Sequence, residues 1–133
     1  MNALRQVHWL ARGSLAFMFA YHGLVPKLIA LSPGEQLLLR AHGLEGAAWL
    51  SQAAGAMELV WAAVLLFLPR LYWPLPLTAL ILLGLLVDVA TMQPSMLIDA
   101  FNPVTLNAAG MALCAIAWIT RESVGGDVTS ARQ

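Results

Sequence analysis

Four long apolar stretches run along the chain, and polar or turn-forming residues separate them. The stretches extend from Val7 to Ile29, from Gly46 to Leu68, from Leu71 to Met92 and from Pro103 to Ile119. Each is close to the roughly 20 residues that an α-helix needs to cross the hydrocarbon core of a bilayer. Open sheets do not span lipid, and these leucine- and alanine-rich stretches lack the two-residue alternation of a membrane barrel. The pattern therefore predicts an all-α protein, a bundle of four transmembrane helices.

Turn and capping residues mark where these helices begin and end. Pro69 and Arg70 separate the second and third stretches so tightly that the two helices are predicted to be antiparallel neighbours. Asn102 is a typical N-cap residue, and the proline that follows it, Pro103, suits the first position of a helix. The fourth span is therefore predicted to begin at Pro103.

A shorter helix is predicted between the first and second spans. Ser32, with Glu35 three residues later, has the spacing of a capping box. The helix that it opens, Pro33 to Ala41, carries Leu37 and Leu38 beside charged residues. Such a mixed helix is expected to lie along the membrane interface rather than cross it.

Composition and charge narrow the class of protein. Hydrophobic residues make up 60% of the 133 residues and charged residues 11%, whereas a soluble domain is roughly half apolar and a quarter charged. The lipid bilayer is therefore the expected surrounding. Seven basic and seven acidic residues without a basic stripe do not favour a nucleic-acid partner. The single cysteine, Cys114, excludes an internal disulfide framework and a cysteine-rich zinc site.

The length suits one domain, with a polar segment after it. Residues 1–121 are predicted to form the transmembrane domain, and residues 122–133 a frayed, polar tail. Arg5 and Arg12 precede the apolar run from Gly13 to Tyr21, an arrangement that a signal peptide shares. That run is short and no small-x-small cleavage site follows it, so we expect it to be retained as part of the first span.

The basic residues predict how the bundle is oriented. Five of them fall on one side of the predicted bundle, namely Arg5, Arg12, Arg70, Arg121 and Arg132. Lys27 and Arg40 fall on the other side. Because lysine and arginine are in excess on the cytoplasmic side of membrane proteins, both termini are predicted to be cytoplasmic. The expected location is a bacterial inner membrane.

Each predicted span has one face of small or polar residues at helical spacing. These faces are Ser14, Met18 and His22; Ser51, Gly55, Glu58 and Ala62; Gly84, Asp88 and Thr91; and Asn107, Gly110, Cys114 and Ala117. Small residues let helix backbones approach closely in lipid. Helix packing is therefore a sufficient explanation for the glycines and alanines.

The ionisable residues in the spans need a further explanation, because a carboxylate at the bilayer centre costs about 2.5–3.5 kcal/mol on insertion scales. Glu58 lies near the middle of its span. We hypothesise a polar ligand-binding pocket in the outer half of the bundle, formed by His22, Lys27, Glu58, Asp88 and Asn107. The alternative is a structural network in which Arg12 or Lys27 reaches a carboxylate and fixes helix register. Glu58 is expected either to be protonated and donate a hydrogen bond or to be charged and pair with a basic residue of the first span, and in both cases Glu58→Gln is expected to be milder than Glu58→Leu.

Catalytic and metal-binding patterns are weak. His22, Glu58 and Asp88 could in principle be ligands, but His8 and His42 are placed outside the spans, and one imidazole with two carboxylates does not predict a metal site. Motifs of the GxSxG, Walker and CxxC types do not occur in the sequence. Whether the protein is an enzyme stays open at this point.

Four motifs follow one another along the chain. They are Tyr21-His22-Gly23-Leu24-Val25-Pro26-Lys27-Leu28 in the first span, Gly55-Ala56-Met57-Glu58 in the second, Asp88 in the third and Phe101-Asn102-Pro103-Val104-Thr105-Leu106-Asn107 at the start of the fourth. Their order resembles the DoxX-like family of small four-helix membrane proteins, over nearly the whole chain up to Trp118. The last motif is the most specific of the four.

The resemblance implies four transmembrane helices and leaves the activity open. Relatives in this family include a quinone-linked subunit of thiosulfate oxidation, domains fused to NAD(P)-binding modules, and eukaryotic chaperone or cargo-receptor proteins. A shared fold does not determine a shared function.

Three functional hypotheses follow. In the first, the protein binds a lipophilic small molecule in the polar pocket, with a quinone as the candidate cofactor, and is a redox-linked membrane component. In the second, it is a non-enzymatic chaperone or assembly factor that docks the transmembrane helices of a client protein. In the third, it is a proton-coupled transporter with Glu58 as proton carrier, which would require oligomerisation of so small a bundle. A homo-oligomer is compatible with each.

Overall fold

The computed structural model describes residues 2–125, and within this range it contains helices and no strand. Its helices are α1 (Ala3–Gly23), continued by a π-helical segment (Leu24–Ile29), α2 (Pro33–Ala41), α3 (Ala48–Phe67), α4 (Pro74–Met92), a 3₁₀ segment (Pro94–Ile98), α5 (Pro103–Ile119) and α6 (Glu122–Gly125). The all-α prediction is confirmed.

The predicted caps are present, and they set the bounds of two helices. The Ser32 hydroxyl accepts a hydrogen bond from the Glu35 amide at 3.2 Å, and the Asn102 side chain accepts one from the Thr105 amide at 3.0 Å. Helices α2 and α5 consequently have the bounds that the sequence predicts. The predicted polar tail begins with the short helix α6, and the remainder of that tail lies outside the described residues.

Two helices, α3 and α4, are long and apolar enough to cross a membrane by themselves. Helix α1 with its π-helical extension is long and apolar enough to cross a membrane when α2 is counted with it. The axis of α2, however, lies at 84° to that of the extended α1. Helix α5 is apolar and has 17 residues. Length and composition therefore support two spans, or three if the bent pair is one span.

Pro26 explains why the first helix widens and then ends. Proline has no backbone N–H to donate, so the regular i to i−4 pattern is interrupted there. The Ala30 amide instead bonds to the Val25 carbonyl at 3.3 Å, and the Ser32 amide bonds to the Pro26 carbonyl at 2.9 Å. This wide turn leads into the sharp bend that directs α2 back against α3.

Helix α1 is the centre of the bundle. It packs extensively on α3 on one side and on α5 on the other, and α5 packs on α4. Helices α3 and α4 contact each other much less, although a short turn joins them. One link between them is a 2.9 Å hydrogen bond from the Trp61 indole to the Thr78 hydroxyl. The second and third spans are therefore joined by a short turn, as predicted, but they pack on each other much less than α1 packs on α3 or α4 on α5.

The close approach of α1 and α3 requires glycine at two positions. A Cβ atom placed on Gly55 would lie 2.5 Å from the Gly23 carbonyl oxygen and 2.9 Å from the Cβ of Lys27. The carbonyl oxygen of Gly55 obstructs a Cβ on Gly23 in the same way. Neither backbone has room to shift, since each helix is held against the other. This contact accounts for Gly23 and Gly55 by packing alone.

The predicted small faces are correct in α3 and α5 and wrong in α1 and α4. Helix α3 buries Ser51, Gly55 and Ala62, and α5 buries Asn107, Gly110, Cys114 and Ala117. In α4 the buried face consists of Leu75, Thr78, Leu82 and Val89 instead of Gly84, Asp88 and Thr91. In α1, Ser14 and His22 are exposed. The buried face of α1 is instead the one that carries Arg12, Phe19 and Gly23, where Arg12 bonds to the Leu65 carbonyl and Gly23 contacts Gly55.

Arg12 is fully buried, and its partners are carbonyl groups; of the two basic residues that the alternative hypothesis offered a carboxylate, Lys27 is the one that contacts it. Its Nε atom donates to the Leu65 carbonyl at 2.8 Å, and its two Nη atoms donate to the carbonyls of Leu68 and Leu71 at 3.1 Å each. The last carbonyls of a helix have no partner within it. Arg12 therefore caps the C-terminal end of α3 and the following turn.

Further hydrogen bonds join different parts of the chain at one end of the bundle. His8, placed outside the spans by the sequence analysis, is in fact fully buried in α1, with Nδ1 3.0 Å from the Ala117 carbonyl of α5. The Tyr72 hydroxyl donates to the Arg121 carbonyl at 3.2 Å. The start of α1, the α3–α4 turn and the end of α5 therefore lie together at what we call the terminal end. The π-helical segment and α2 lie at the opposite, loop end.

The glycine contact predicts a specific sensitivity to added volume. Gly55→Ala is expected to destabilise the bundle by about 1–3 kcal/mol or more, because the new methyl group overpacks a contact between two backbones. Thermal unfolding in detergent micelles measures this. Gly84→Ala is the matched control, since a Cβ there meets no described atom within 4 Å. The control should be neutral or up to about 1 kcal/mol more stable because alanine favours a helix. Equal destabilisation by the two substitutions would contradict the packing argument.

Candidate functional site

Lys27 is the centre of an ion network at the loop end. Its side chain is only 11% exposed, and its ammonium group forms a short, direct contact with the Glu58 carboxylate of α3. The same ammonium group lies 3.7 Å from Oε1 of Glu35 in α2. The other Glu35 oxygen, Oε2, accepts a hydrogen bond from the Ser51 hydroxyl of α3. One cation and two carboxylates thus tie the π-helical segment, α2 and α3 together.

Local structure explains how these side chains meet. The wide turn at Pro26 places Lys27 beside Gly55, where the absence of a side chain leaves room for the lysine. Glu58 follows Gly55 by three residues and therefore lies on the same helix face. In a full capping box the Glu35 side chain would accept from the Ser32 amide. That amide donates to the Pro26 carbonyl instead, so the Glu35 carboxylate is available to Lys27 and Ser51.

The network does not satisfy every atom. Oε2 of Glu58 is buried and has no hydrogen-bond partner among residues 2–125. A buried polar atom without a partner costs about 1–3 kcal/mol. With both carboxylates ionised, the two acids and one lysine carry a net charge of −1. The unpaired oxygen and the negative net charge both favour the binding of a further group that donates a hydrogen bond to Glu58.

A small cavity of about 50 Å³ lies beside this network, between α1, α3, α4 and α5. Its polar lining residues are His22, Glu58 and Asn107, and its apolar lining residues are Met18, Phe19, Leu82, Leu85 and Leu106. Asn107 is almost fully buried, and its Nδ2 donates to the Leu82 carbonyl at 3.0 Å, which fixes the amide against α4. A cavity of this size has room for a water molecule or a hydroxyl group and is too small for a ring.

A larger cleft of about 710 Å³ lies at the loop end beside the small cavity. Its lining residues are Tyr21, His22, Met96, Ala100, Phe101, Asn102, Pro103, Thr105 and Leu106. His22 and Leu106 line both spaces, so they form the boundary between the polar cavity and the mainly apolar cleft. The volume of the cleft falls within the range of small-molecule sites in proteins, which is about 300–1,000 Å³.

The structure brings together four of the five predicted site residues. His22, Glu58 and Asn107 line the small cavity, and Lys27 holds Glu58 in place. Asp88 is separate from them and does not line this cavity. Glu35 is not among the predicted site residues, since its position three residues after Ser32 fits the capping box completely. Ligand binding by these residues stays a prediction.

Asp88 pairs with His42, which the sequence analysis left outside the site. The His42 Nε2 atom lies 2.9 Å from Oδ1 of Asp88, and its Nδ1 atom lies 2.8 Å from the Leu38 carbonyl. Both ring nitrogens face acceptors, which favours the doubly protonated imidazolium. These bonds raise the pKa of His42; the hydrogen bond to the Leu38 carbonyl is the largest single cause, and Asp88 raises the pKa through its hydrogen bond and its charge. The pair joins the end of α2 to α4.

Metal ligands do not converge in the described part of the chain. Within residues 2–125 no group of three or more histidine, cysteine, aspartate or glutamate side chains could hold a metal ion.

The His42–Asp88 pair predicts a pH dependence of stability. Because the pKa of His42 is raised on folding, its contribution is fully present below the ordinary histidine pKa of about 6.5 and is lost as pH rises through the higher folded-state pKa. Wild type should thus lose stability between about pH 6 and pH 8, and His42→Gln should lose less. Melting temperatures of both proteins over this range measure the difference. If the melting temperatures of wild type and His42→Gln change with pH in parallel, the His42–Asp88 pair contributes nothing to stability.

Comparison with known proteins gives one match. A model of the DoxX-like family matches residues 16–115, which is most of the chain. No curated protein and no solved structure is detectably similar to it. The matched range contains α2, α3, α4, nearly all of α5 and the network around Lys27. With its apolar helices, this chain is an integral membrane protein that belongs to the DoxX-like family.

Proposed function

We propose that this protein binds a lipophilic small molecule with a polar head group at the loop end of the bundle, and that a quinone or its reduced form is the best candidate. One observation carries the proposal. A small cavity whose polar lining residues are His22, Glu58 and Asn107 adjoins a mainly apolar cleft of ligand size, and His22 lines both. A molecule with a polar group on an apolar ring and tail matches this pair of spaces.

The proposed ligand has a defined orientation. Its ring and tail occupy the cleft, where the Tyr21 and Phe101 side chains are exposed and available to cover it. Its polar group passes between His22 and Leu106 toward Glu58 and Asn107. Lys27 is a positioning residue in this arrangement, since its ammonium group engages Glu58 and Glu35.

The same proposal includes a four-span topology in a bacterial inner membrane. The start of α1, the α3–α4 turn and the end of α5 lie at one end of the bundle, which supports an even number of crossings. Helix α5 is about 25 Å long at 1.5 Å per residue, close to the roughly 30 Å hydrocarbon core. Arg5, Arg70 and Arg121 belong to the terminal end, so both chain ends are cytoplasmic by the positive-inside rule. Helix α2 lies at the opposite interface.

A second candidate function is supported by a different observation. Helices α3 and α4 contact each other little, so this side of the bundle is less closed than the others. A transmembrane helix of a client protein could dock there, as a membrane chaperone or assembly factor requires, and a second copy of the chain is a further occupant. Mass spectrometry of protein extracted from native membranes separates the two functions. A bound lipophile supports the first, and a stoichiometric protein partner supports the second.

Closing the passage between cleft and cavity should weaken binding. Leu106→Trp places a bulky ring where both spaces meet, and we expect it to weaken binding of a decyl-substituted benzoquinone about tenfold or more, a loss of about 1.4 kcal/mol. Titration calorimetry in detergent micelles measures the affinity. Leu80→Trp is the matched control, because Leu80 is exposed on α4 and lines neither space.

The control should bind as wild type does, and both variants should melt near the wild-type temperature. Unchanged binding by Leu106→Trp would place the ligand elsewhere. A wild-type protein without saturable binding of the probe would overturn the proposed function.

A further inference from the structure

The polar residues that line the small cavity differ in whether they can donate hydrogen bonds or only accept them. His22 and Asn107 can each donate or accept, because an imidazole has both functions and the Asn107 amide keeps its oxygen and one N–H after bonding to Leu82. An ionised carboxylate can only accept. The oxygen of Glu58 without a partner, Oε2, therefore decides which kind of group the cavity favours.

Contacts of Glu58 support its ionised form. Its Oε1 atom contacts the ammonium group of Lys27, whose side chain is 11% exposed and therefore needs a nearby counter-charge. Glu35 cannot supply that charge as effectively, because its nearest oxygen is 3.7 Å from the same ammonium group and its other oxygen is engaged by Ser51. Glu58 is thus the primary partner of the cation, and its second oxygen is a buried acceptor without a partner, on a residue that lines the small cavity.

We infer that the site prefers a lipophile that presents a hydroxyl group, a hydroquinone or an alkylphenol, over the corresponding carbonyl compound. The inference rests on the proposed function and specifies its ligand. A hydroxyl group donates to Oε2 of Glu58, whereas a quinone carbonyl would place two acceptors together without a proton between them.

Charge and size favour the same class of ligand. A donor at Oε2 offsets part of the net charge of −1 carried by Lys27, Glu35 and Glu58. Hydrogen bonds to ionised groups are about twice as strong as bonds between neutral groups. The cavity of about 50 Å³ admits a hydroxyl group, while the ring that carries it stays in the adjoining cleft.

Wild-type protein provides the first test. Decyl-hydroquinone and decyl-benzoquinone have the same skeleton, and their affinities can be measured anaerobically by titration calorimetry in detergent micelles. We expect the hydroquinone to bind at least tenfold more tightly. A second pair, 4-decylphenol and its methyl ether, has the same difference in donor capacity and does not depend on the redox state of the solution. The phenol should bind more tightly than the ether.

Glu58→Gln provides the second test. Its amide oxygen can still accept from Lys27, and its amide nitrogen would then present N–H groups at the position of Oε2. The preference should consequently fall to less than threefold or reverse in favour of the benzoquinone. Glu45→Gln is the matched control, because Glu45 is an exposed carboxylate that pairs with Arg40 at 3.2 Å, and it should retain the wild-type preference.

The outcomes separate this inference from the proposed function. Wild-type protein that binds both forms equally, or the benzoquinone more tightly, overturns the donor preference while the lipophile site stands. A preference that Glu58→Gln leaves unchanged also overturns the inference, since Glu58 would not be its cause. Absence of saturable binding of all four probes overturns both. If the glutamine variant does not fold, the wild-type comparison alone decides.

Discussion

A lysine side chain that is almost completely enclosed within a membrane bundle requires a counter-charge, and this requirement governs the loop end of the structure. Lys27 meets it with Glu58 from α3 and Glu35 from α2. The pairing is possible because Gly23 and Gly55 allow the two backbones to touch and because the turn at Pro26 directs the chain toward α3. The ion network therefore depends on the packing of α1 on α3, on the bend after α1 and on the position of α2.

The terminal end is organised around a second buried cation with a different kind of partner. Arg12 donates to the Leu65 carbonyl near the end of α3 and to the carbonyls of Leu68 and Leu71 in the turn that follows, and so supplies hydrogen bonds to backbone groups in an apolar surrounding. Both cations belong to the first helix and its extension, and both bind toward α3. The first helix is thereby fixed at its two ends, with α5 packed on its other side. The cavity lies within this fixed frame.

Features that depend on neighbouring residues could be predicted from the sequence. The caps at Ser32 and Asn102 and the inward faces of α3 and α5 follow from short-range rules, and the structure contains them. Features that depend on how a helix is rotated could not. Asp88 has helical spacing with Gly84, yet α4 packs through Leu82 and Val89, which turns Asp88 toward His42. The partner of Glu35 likewise depends on the path of the chain after Pro26, which local spacing does not encode.

The central claim is that Lys27 and Glu58 stabilise the bundle as a pair across the π-helical segment and α3. A double-mutant cycle with Lys27→Met, Glu58→Leu and the combined variant tests it most directly, with unfolding free energies measured in detergent micelles. Each single change leaves a buried charge without its main partner, whereas the combined change removes both charges. The account predicts a coupling energy of about 1–3 kcal/mol, with the combined variant more stable than the sum of the single losses implies. Additive losses would contradict it, because they would mean that the two residues act independently.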